Sequence, residues 1–582
     1  MSTSIQPSLD FEKLPKAHKR RFVPEGADLC DLKQVKALYE QLLATKIDSV
    51  KAFEQWMLDQ SELDAALDQQ STILYIRMTC QTDDESRAKA YEHFITTIVP
   101  AIKPIGHELN KKYLENLEKF PLDSKRYEVL TRDTKAEVEL FVEKNIPLQT
   151  EVDLLSQEYQ KVSGTMMVNF DGQERTLPQM SKYLLETDRT VREKAWRAVA
   201  ERRLKDKDKL EDIFDKMLKL RDQIAKNAGC KNFIEYKFRS LHRFDYTPAD
   251  CKTYHDTIEK LVLPLWKEIL DHRKKMMKLD SLRPWDSEVD VLGRQPLKPF
   301  ETVEQLIKGC EEIFQKLDPD FGRQFADMNN LNLLDLASRK GKAPGGYQSC
   351  LSESRKPFIF MNAVGLDGDI RTLLHEGGHA FHSLACRNEP LVPYRHGPME
   401  FNEVSSMGME LLADEFLPVF YGKDDYKRSR EAHLEDVIFI LVWVATIDCF
   451  QHWIYENPGH SKEERKAFWL QTRRRFGANI MDWSGLEEVQ AYLWHRQLHI
   501  FEVPFYYIEY GIAQLGALQL WRNFRKDRAL AISQYKKAMS LGGSRPLPEI
   551  YQTAGIVFDF SAKTIGPLSE DVSKELKELL GE

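Results

Sequence analysis

Asp367-Gly368-Asp369-Ile370-Arg371-Thr372-Leu373-Leu374-His375-Glu376-Gly377-Gly378-His379-Ala380-Phe381-His382 is the stretch from which the rest of the chain is read. Ile370, Leu373, Leu374 and Phe381 recur at helical spacing, and Asp367 or Asp369 can cap the first turn. Within that helix the pattern H-E-x-x-H sets His375 and His379 one turn apart on one face, where both imidazoles can reach a single ion. Glu376 flanks this face and can reach a water beside the ion. With 15 His in the chain, random order would give about 0.03 such motifs. Gly377 and Gly378 each cost about 1 kcal/mol of helix propensity relative to Ala. They suit a helix that a substrate or a neighbouring backbone approaches closely.

A catalytic zinc takes three protein ligands and keeps one position open. Position 385 is alanine, which excludes the pattern with a third His six residues after the second. A Glu on a following helix is the other common solution, and Phe401-Asn402-Glu403-Val404-Ser405-Ser406-Met407-Gly408-Met409-Glu410-Leu411 reads as such a helix. Glu403 is the expected third ligand and Glu400 competes with it. Glu410, seven residues after Glu403, is expected to orient a histidine. Di-iron bundles use E-x-x-H twice, but no His besides His379 has Glu three residues before it. Gly397-Pro398-Met399-Glu400 is similar to an aminopeptidase motif, yet it follows the His pair and its residues do not match. A third cluster, His499 to Gly511, gathers His499, Tyr506, Tyr507 and Tyr510. Phenol and imidazole donors of this kind can hold the oxyanion that forms when water attacks a carbonyl. His382 and His495 are expected to be structural or orienting, and His242 and His452 ordinary.

The surrounding chain is soluble in character. It has 582 residues, 42% of them apolar and 30% charged, room for several domain-sized units. With 28 Gly and 25 Pro it is poor in helix breakers, which predicts a mostly α fold. Helical periodicity runs through Leu29–Leu58, Glu62–Thr79, Asp84–Leu117 and Ala136–Val162. Asp171-Gly172, between two short β-prone runs, signals a hairpin. A boundary near 185 divides an N-terminal helical lobe, 1–185, from a catalytic part, 186–582. Within the latter, Gly345–Cys350 and Lys356–Asn362 predict a small antiparallel element over about 345–363. The net charge of −8 argues against a nucleic-acid binder. Met1–Gly26 shows no apolar leader. The longest apolar run, Val437–Ile447, is too short to span a bilayer and reads as a core helix, so no membrane association is expected. Eight scattered cysteines without a CxxC read as reduced thiols of a cytoplasmic protein.

Taken together, H-E-G-G-H-A-F-H from His375, E-F-N-E-V-S-S-M-G-M-E-L-L from Glu400 and H-I-F-E-V-P-F-Y-Y-I-E-Y-G from His499 resemble the thimet oligopeptidase and oligoendopeptidase F family of zinc peptidases, the bacterial oligoendopeptidase branch above all. The hairpin V-N-F-D-G-Q-E-R-T-L and the later G-G-S-R-P-L-P-E-I-Y-Q-T-A-G share the likeness, which is strong from about residue 185 onward. The resemblance implies two mostly helical lobes enclosing a deep channel, with one zinc per chain on its floor. It implies a short unstructured oligopeptide as substrate, cut at internal bonds. It assigns His375, His379 and Glu403 to the metal and Glu376 to the role of base. His499 with Tyr507 or Tyr510 would hold the oxyanion, since Val503-Pro504 stands where the mammalian branch has an earlier Tyr. Strand Lys356–Asn362, through Phe358, Ile359 and Phe360, would pair with the substrate backbone, and Tyr506 would also contact it.

Two other readings use the same residues. An exopeptidase such as a dipeptidyl carboxypeptidase would need a cation for the terminal carboxylate, with Arg395 or Arg545 as candidates. A helical peptide-binding scaffold without catalysis would have no use for an intact H-E-x-x-H.

Overall fold

The structure, a computed structural model, describes residues 11–581. The polar opening of the chain lies outside it through position 10. Among the described residues there are twenty-four α-helices and five short strands, the mostly α architecture that scarce Gly and Pro predict. The strands are β1 (Met167–Phe170), β2 (Gln173–Thr176), β3 (Leu334–Ala337), β4 (Tyr347–Leu351) and β5 (Lys356–Ala363). Three helices matter most below: α1 (Asp367–Ala385), α2 (Met399–Ala413) and α3 (Lys423–Glu456).

Two compact units divide the chain. One joins the described residues through Glu139 with Lys298–Lys427 and Ala513–Phe558, and the other joins Leu140–Leu297 with Arg428–Ile512 and the residues from Asp559. The units interleave along the sequence, so a single boundary at 185 delimits neither of them.

In the first unit, helix Val50–Cys80 starts at Ser49, whose side chain accepts a hydrogen bond from the Ala52 N–H. Phe53 and Trp56 carry its N-terminal half into a core with Leu42, and the Trp56 indole N–H donates to the Leu42 carbonyl at 3.0 Å. Its C-terminal half meets a three-stranded sheet. Thr79 Oγ1 lies 2.6 Å from the Tyr347 hydroxyl. Tyr75 and Phe360 pack on the Tyr347 ring with centroids 5.3 and 4.7 Å away.

The strand order is β3-β5-β4. β4 pairs antiparallel with β5 in the register Tyr347↔Phe360 to Leu351↔Lys356, as the sequence predicts. β3 adds a parallel pairing, Leu334↔Ile359, so the sheet is mixed. Leu334 and Leu336 point inward, but four residues after a helix are too few to announce a strand. This order corrects the expectation for β5. Both of its edges are taken and Phe358, Ile359 and Phe360 are buried, so Lys356–Asn362 cannot accept an added strand. The edges belong to β3 and β4.

β5 leads into α1, which crosses α2 at close range. A Cβ on Gly378 would lie 2.4 Å from the Ser405 carbonyl oxygen and 2.7 Å from Ser406 Cα. A Cβ on Gly377 would lie 2.6 Å from Phe314 Cζ. The two glycines thus answer to a neighbouring backbone and a neighbouring ring. On the same helix Phe381 stacks on Phe321, centroids 4.6 Å apart, and meets Phe314 edge-on at 4.9 Å.

In the second unit β1 and β2 form the predicted hairpin, closing at Phe170↔Gln173. Asp171 and Gly172 take φ of 53° and 70°, the two left-handed residues that a tight hairpin turn matched to strand twist requires. α3 contains Val437–Ile447. By length and composition it could cross a membrane, but 78% of its apolar window is buried inside the protein, as in a core helix. Arg465, buried, pairs with Glu211 and Asp215, and His495 Nε2 lies 3.0 Å from Glu211.

Gly378→Ala and Gly368→Ala separate the crossing from helix propensity, because a Cβ on Gly368, in the first turn of α1, meets nothing within 4 Å. Gly378→Ala is expected to destabilise by about 3 kcal/mol. Gly368→Ala should stay within about 0.5 kcal/mol of wild type. Urea unfolding of both variants checks this, and a harmless Gly378→Ala would refute the close backbone approach.

Candidate metal centre

The N-terminus of α1 is fixed by Asp369 rather than Asp367. Its Oδ2 accepts from the N–H groups of Val364, Gly365 and Leu366 at 2.8, 2.8 and 2.9 Å, reaching back from the first turn to fix the N-cap Leu366 and the loop before it. Asp367 instead accepts from the Tyr421 hydroxyl. The buried Arg371 side chain is ion-paired with Asp414 just past α2. These contacts set the rotation of α1, and with it the direction of His375 and His379.

His375 Nε2 lies 3.5 Å and His379 Nε2 3.7 Å from Glu403 Oε2. Two atoms each about 2.1 Å from one tetrahedral ion lie about 3.4 Å apart, so the three side chains fit a metal. The donor set, two imidazoles and a carboxylate with a position left over, is that of a catalytic zinc. His375 Nδ1 is 2.7 Å from Glu410 Oε1, which holds a proton on Nδ1 and turns Nε2 towards Glu403. Ser406 Oγ donates to Glu403 Oε2 at 3.1 Å. Glu400, the competing candidate, is buried but stands outside the group.

Burial separates the protonation of these groups. It pushes Glu376 up to about 7, with Glu403 and Glu410 adding to the rise and His375 opposing it. Burial also works on Glu403, but the hydrogen bond and charge of the histidines and the Ser406 hydroxyl outweigh it and keep that carboxylate low. His379 is lowered to about 4 by burial. His375 would be lowered too, but its bonds to Glu403 and Glu410 hold it well above the ordinary imidazole value. Glu376 also accepts from the backbone N–H of Gln348 on β4. The edge strand therefore faces the carboxylate expected to act as base.

His499, Tyr506, Tyr507 and Tyr510 form a cluster in the second unit. The His499 ring lies 4.8 Å from Tyr507, 5.9 Å from Tyr510 and 6.1 Å from Tyr506, centroid to centroid. The Gln497 amide nitrogen is 2.8 Å from His499 Nδ1, so the amide donates there and the imidazole proton sits on Nε2. Burial lowers His499 to about 4, so the ring is a neutral N–H donor at pH 7. Tyr507 is buried, pushed up to about 12 by that burial, and bonded to Gln497 and Trp443. Tyr510 is half-buried.

A second set of donors, Cys251, Asp448 and His452, lies buried in that unit. Asp448 Oδ2 is 2.7 Å from His255 Nε2 and 3.4 Å from His452 Nε2, so Asp448 sits in a buried polar network with both histidines.

The sequence model of Peptidase family M3 matches residues 183–565, more than half of the chain, and that of the Peptidase M3 N-terminal domain matches 27–141. The chain belongs to peptidase family M3. Among M3 relatives, an oligoendopeptidase F homolog from Borreliella burgdorferi is 23% identical over 380 residues, covering 62% of this chain and 61% of its own. Oligopeptidase PepF from Bacillus subtilis is 22% identical over 317 residues, covering 52% and 45%. These alignments thus span less than two thirds of either curated relative. The fold match is broader: the solved structure of PZ peptidase A with an inhibitor superposes with a TM-score of 0.86 at 27% identity, over 96% of this chain and 99% of that one. The M3 match also takes in the hairpin's flank and β3, where the sequence carried no chemical motif.

Ser406, Gln348 and Gln497 are the contributors that motif reading missed. Ser406 was within reach, three residues after Glu403 on one helix face. The backbone role of Gln348 leaves no mark in a side-chain pattern.

Glu403→Ala is expected to abolish metal retention on dialysis at neutral pH, whereas Glu410→Ala, which loses only the Nδ1 partner of His375, should weaken retention by about 10–100-fold. Metal analysis after graded chelator treatment checks the order, and equal or reversed retention would overturn the ligand choice.

Proposed function

We propose that the chain is a zinc-dependent endopeptidase that hydrolyses internal bonds of short unstructured oligopeptides in the cytoplasm, with one zinc held by His375, His379 and Glu403. The observation that carries this reading is the convergence of these three side chains, with Glu376 one residue along from His375 and Glu410 on its far nitrogen. Zinc, when bound, supplies Lewis acidity towards the scissile carbonyl and lowers the pKa of the attacking water towards about 7. Glu376, raised into the same range by burial, takes the proton of that water and passes it to the leaving amine. The Gln348 N–H helps hold it in place by donating to the carboxylate.

β4 gives the substrate its backbone partner. An extended peptide can pair along its outer edge next to Glu376, and such pairing selects unfolded chains over folded ones. Phe358, Ile359 and Phe360 shape the site only from beneath. His499 and one of Tyr507 and Tyr510 are assigned to the oxyanion. The neutral Nε2–H of His499 and the half-buried Tyr510 suit that role better than the buried Tyr507. Tyr506 is assigned a substrate contact. Eight free cysteines support a reducing compartment.

The exopeptidase reading is weakened. The Arg395 guanidinium is spent on the carbonyls of Glu389, Ser352 and Pro390, and Arg545 is tied to Glu549 and the Ser544 carbonyl. Neither is left over for a terminal carboxylate.

An internally quenched peptide of about nine residues, with product masses read out, tests the proposal. Wild type is expected to cut internally, and Glu376→Gln to keep its zinc while losing about 10²–10⁴ in kcat. Normal turnover by Glu376→Gln would sink the mechanism, and release of terminal dipeptides alone would make the enzyme an exopeptidase. In the same assay Tyr510→Phe is expected to cost about 10²–10³ in rate and Tyr507→Phe clearly less. The reverse order would move the donor role to Tyr507.

A further inference from the structure

A cavity of about 680 Å³ opens within the second unit, lined by residues of that unit alone. Its volume is that of a small-molecule site. The walls are aromatic: Trp196, Trp266, Phe439, Trp443 and Trp483 all face it. Into this setting reach Arg203, Arg473 and Arg496. Arg473 lies over Trp443 and Trp483, 5.2 and 5.8 Å from the ring centroids, and Arg496 lies over Trp443 at 5.4 Å. The Arg473 Nε has no hydrogen-bond partner. Among the described residues none of the three has a carboxylate at ion-pair distance. They also repel one another: besides burial, the charge of Arg496 depresses both Arg203 and Arg473.

The other charged groups on the cavity do not cancel this. Arg273 and Glu435 pair with each other at 3.4 Å. Glu288 acts on Arg496 without bonding to it, Asp436 completes the acids, and His495 is spent on Glu211. Burial raises Glu288 and carries Glu435 to about 7, towards the neutral form, whereas a guanidinium keeps its proton. Even with every acid ionised, four arginines against three carboxylates leave one positive charge over. Half-buried guanidinium groups without counter-ions, as at Arg203 and Arg473, are costly, and an anion entering the cavity would relieve that cost.

We propose that this cavity binds a monocarboxylate carried on an apolar body, either the free C-terminus of an apolar peptide or a medium-chain fatty acid. The planar fork of Arg473 or Arg496 suits a carboxylate bidentately. The tryptophans suit the apolar body, and the three acids on the wall disfavour a dianion such as phosphate. None of these residues belongs to the metal centre, and Trp443 also donates to Gln497 beside the His499 cluster.

Binding to the full-length Glu376→Gln chain, which spares peptide probes from hydrolysis, tests it by tryptophan fluorescence. The probes are N-acetyl-Leu-Leu-Phe as free acid, the same peptide as C-terminal amide, and decanoate. A saturable change is expected with at least one of the two acids, and the amide should bind about tenfold more weakly or worse than the peptide acid where the peptide is the ligand. Decanoate binding alone would identify a fatty-acid site, and peptide acid alone a peptide C-terminus. Arg473→Met and Arg496→Met, made separately, should each weaken the acids about tenfold or more and leave the amide unchanged. Arg496, more open to solvent, serves alone if Arg473→Met does not fold. Three outcomes would overturn the proposal: no saturable signal with any probe, equal affinity of peptide acid and amide with no decanoate binding, or acid binding untouched by the arginine variants.

Discussion

Two backbones touch where α1 crosses α2, and the metal centre depends on that contact. At Gly378 the missing side chain admits the Ser405–Ser406 peptide at a distance no Cβ could share. Glu403 sits about one turn before this point on α2 and Glu410 somewhat more than one turn after it, so the contact sets where both carboxylates meet the histidines of α1. The partners of α2 hold it there. The Tyr535 hydroxyl donates to the Ser405 carbonyl, and Ser406 reaches back to Glu403. An ordinary helix crossing, 8–10 Å between axes with side chains interleaved, would leave the glutamate short of the imidazoles.

Within that frame, three glutamates of one residue type are given three duties by their surroundings alone. Glu403 is kept ionised by the histidines and Ser406, as a ligand must be. Glu376 is raised by burial into the range where it can take and return a proton. Glu410 is committed to a ring nitrogen. Environments that push like groups apart are the general means by which one site holds both acid and base.

The parts of this arrangement that were legible in the sequence are those whose partners lie on one element. His375 and His379 share a helix face, Glu403 and Glu410 share another, and Asp171-Gly172 fixes its own turn. The illegible parts need elements distant in sequence to be brought together. β3 is four residues long and pairs in parallel, so neither its length nor a turn betrays it, and without it β5 looks like an edge. The two glycines of the motif were readable as a place of close approach, but whether a backbone, a ring or a substrate approaches is decided by α2 and Phe314. Arg203, Arg473 and Arg496 come from three separate elements, and each reads in sequence as one more charge on a helix.

The interleaving of the two units bears on when the protein can act. A chain emerging from the ribosome presents α1 and α2 long before Ala513–Phe558, the segment that completes the first unit and supplies the Tyr535 hydroxyl behind Ser405. Contacts of such long sequence separation form late. Until they form, the histidines and glutamates are present but not held in register. A protease built from one contiguous segment could begin cutting while still tethered to its own synthesis. Here the order of the chain postpones that moment until Ala513–Phe558 has been made and packed behind α2.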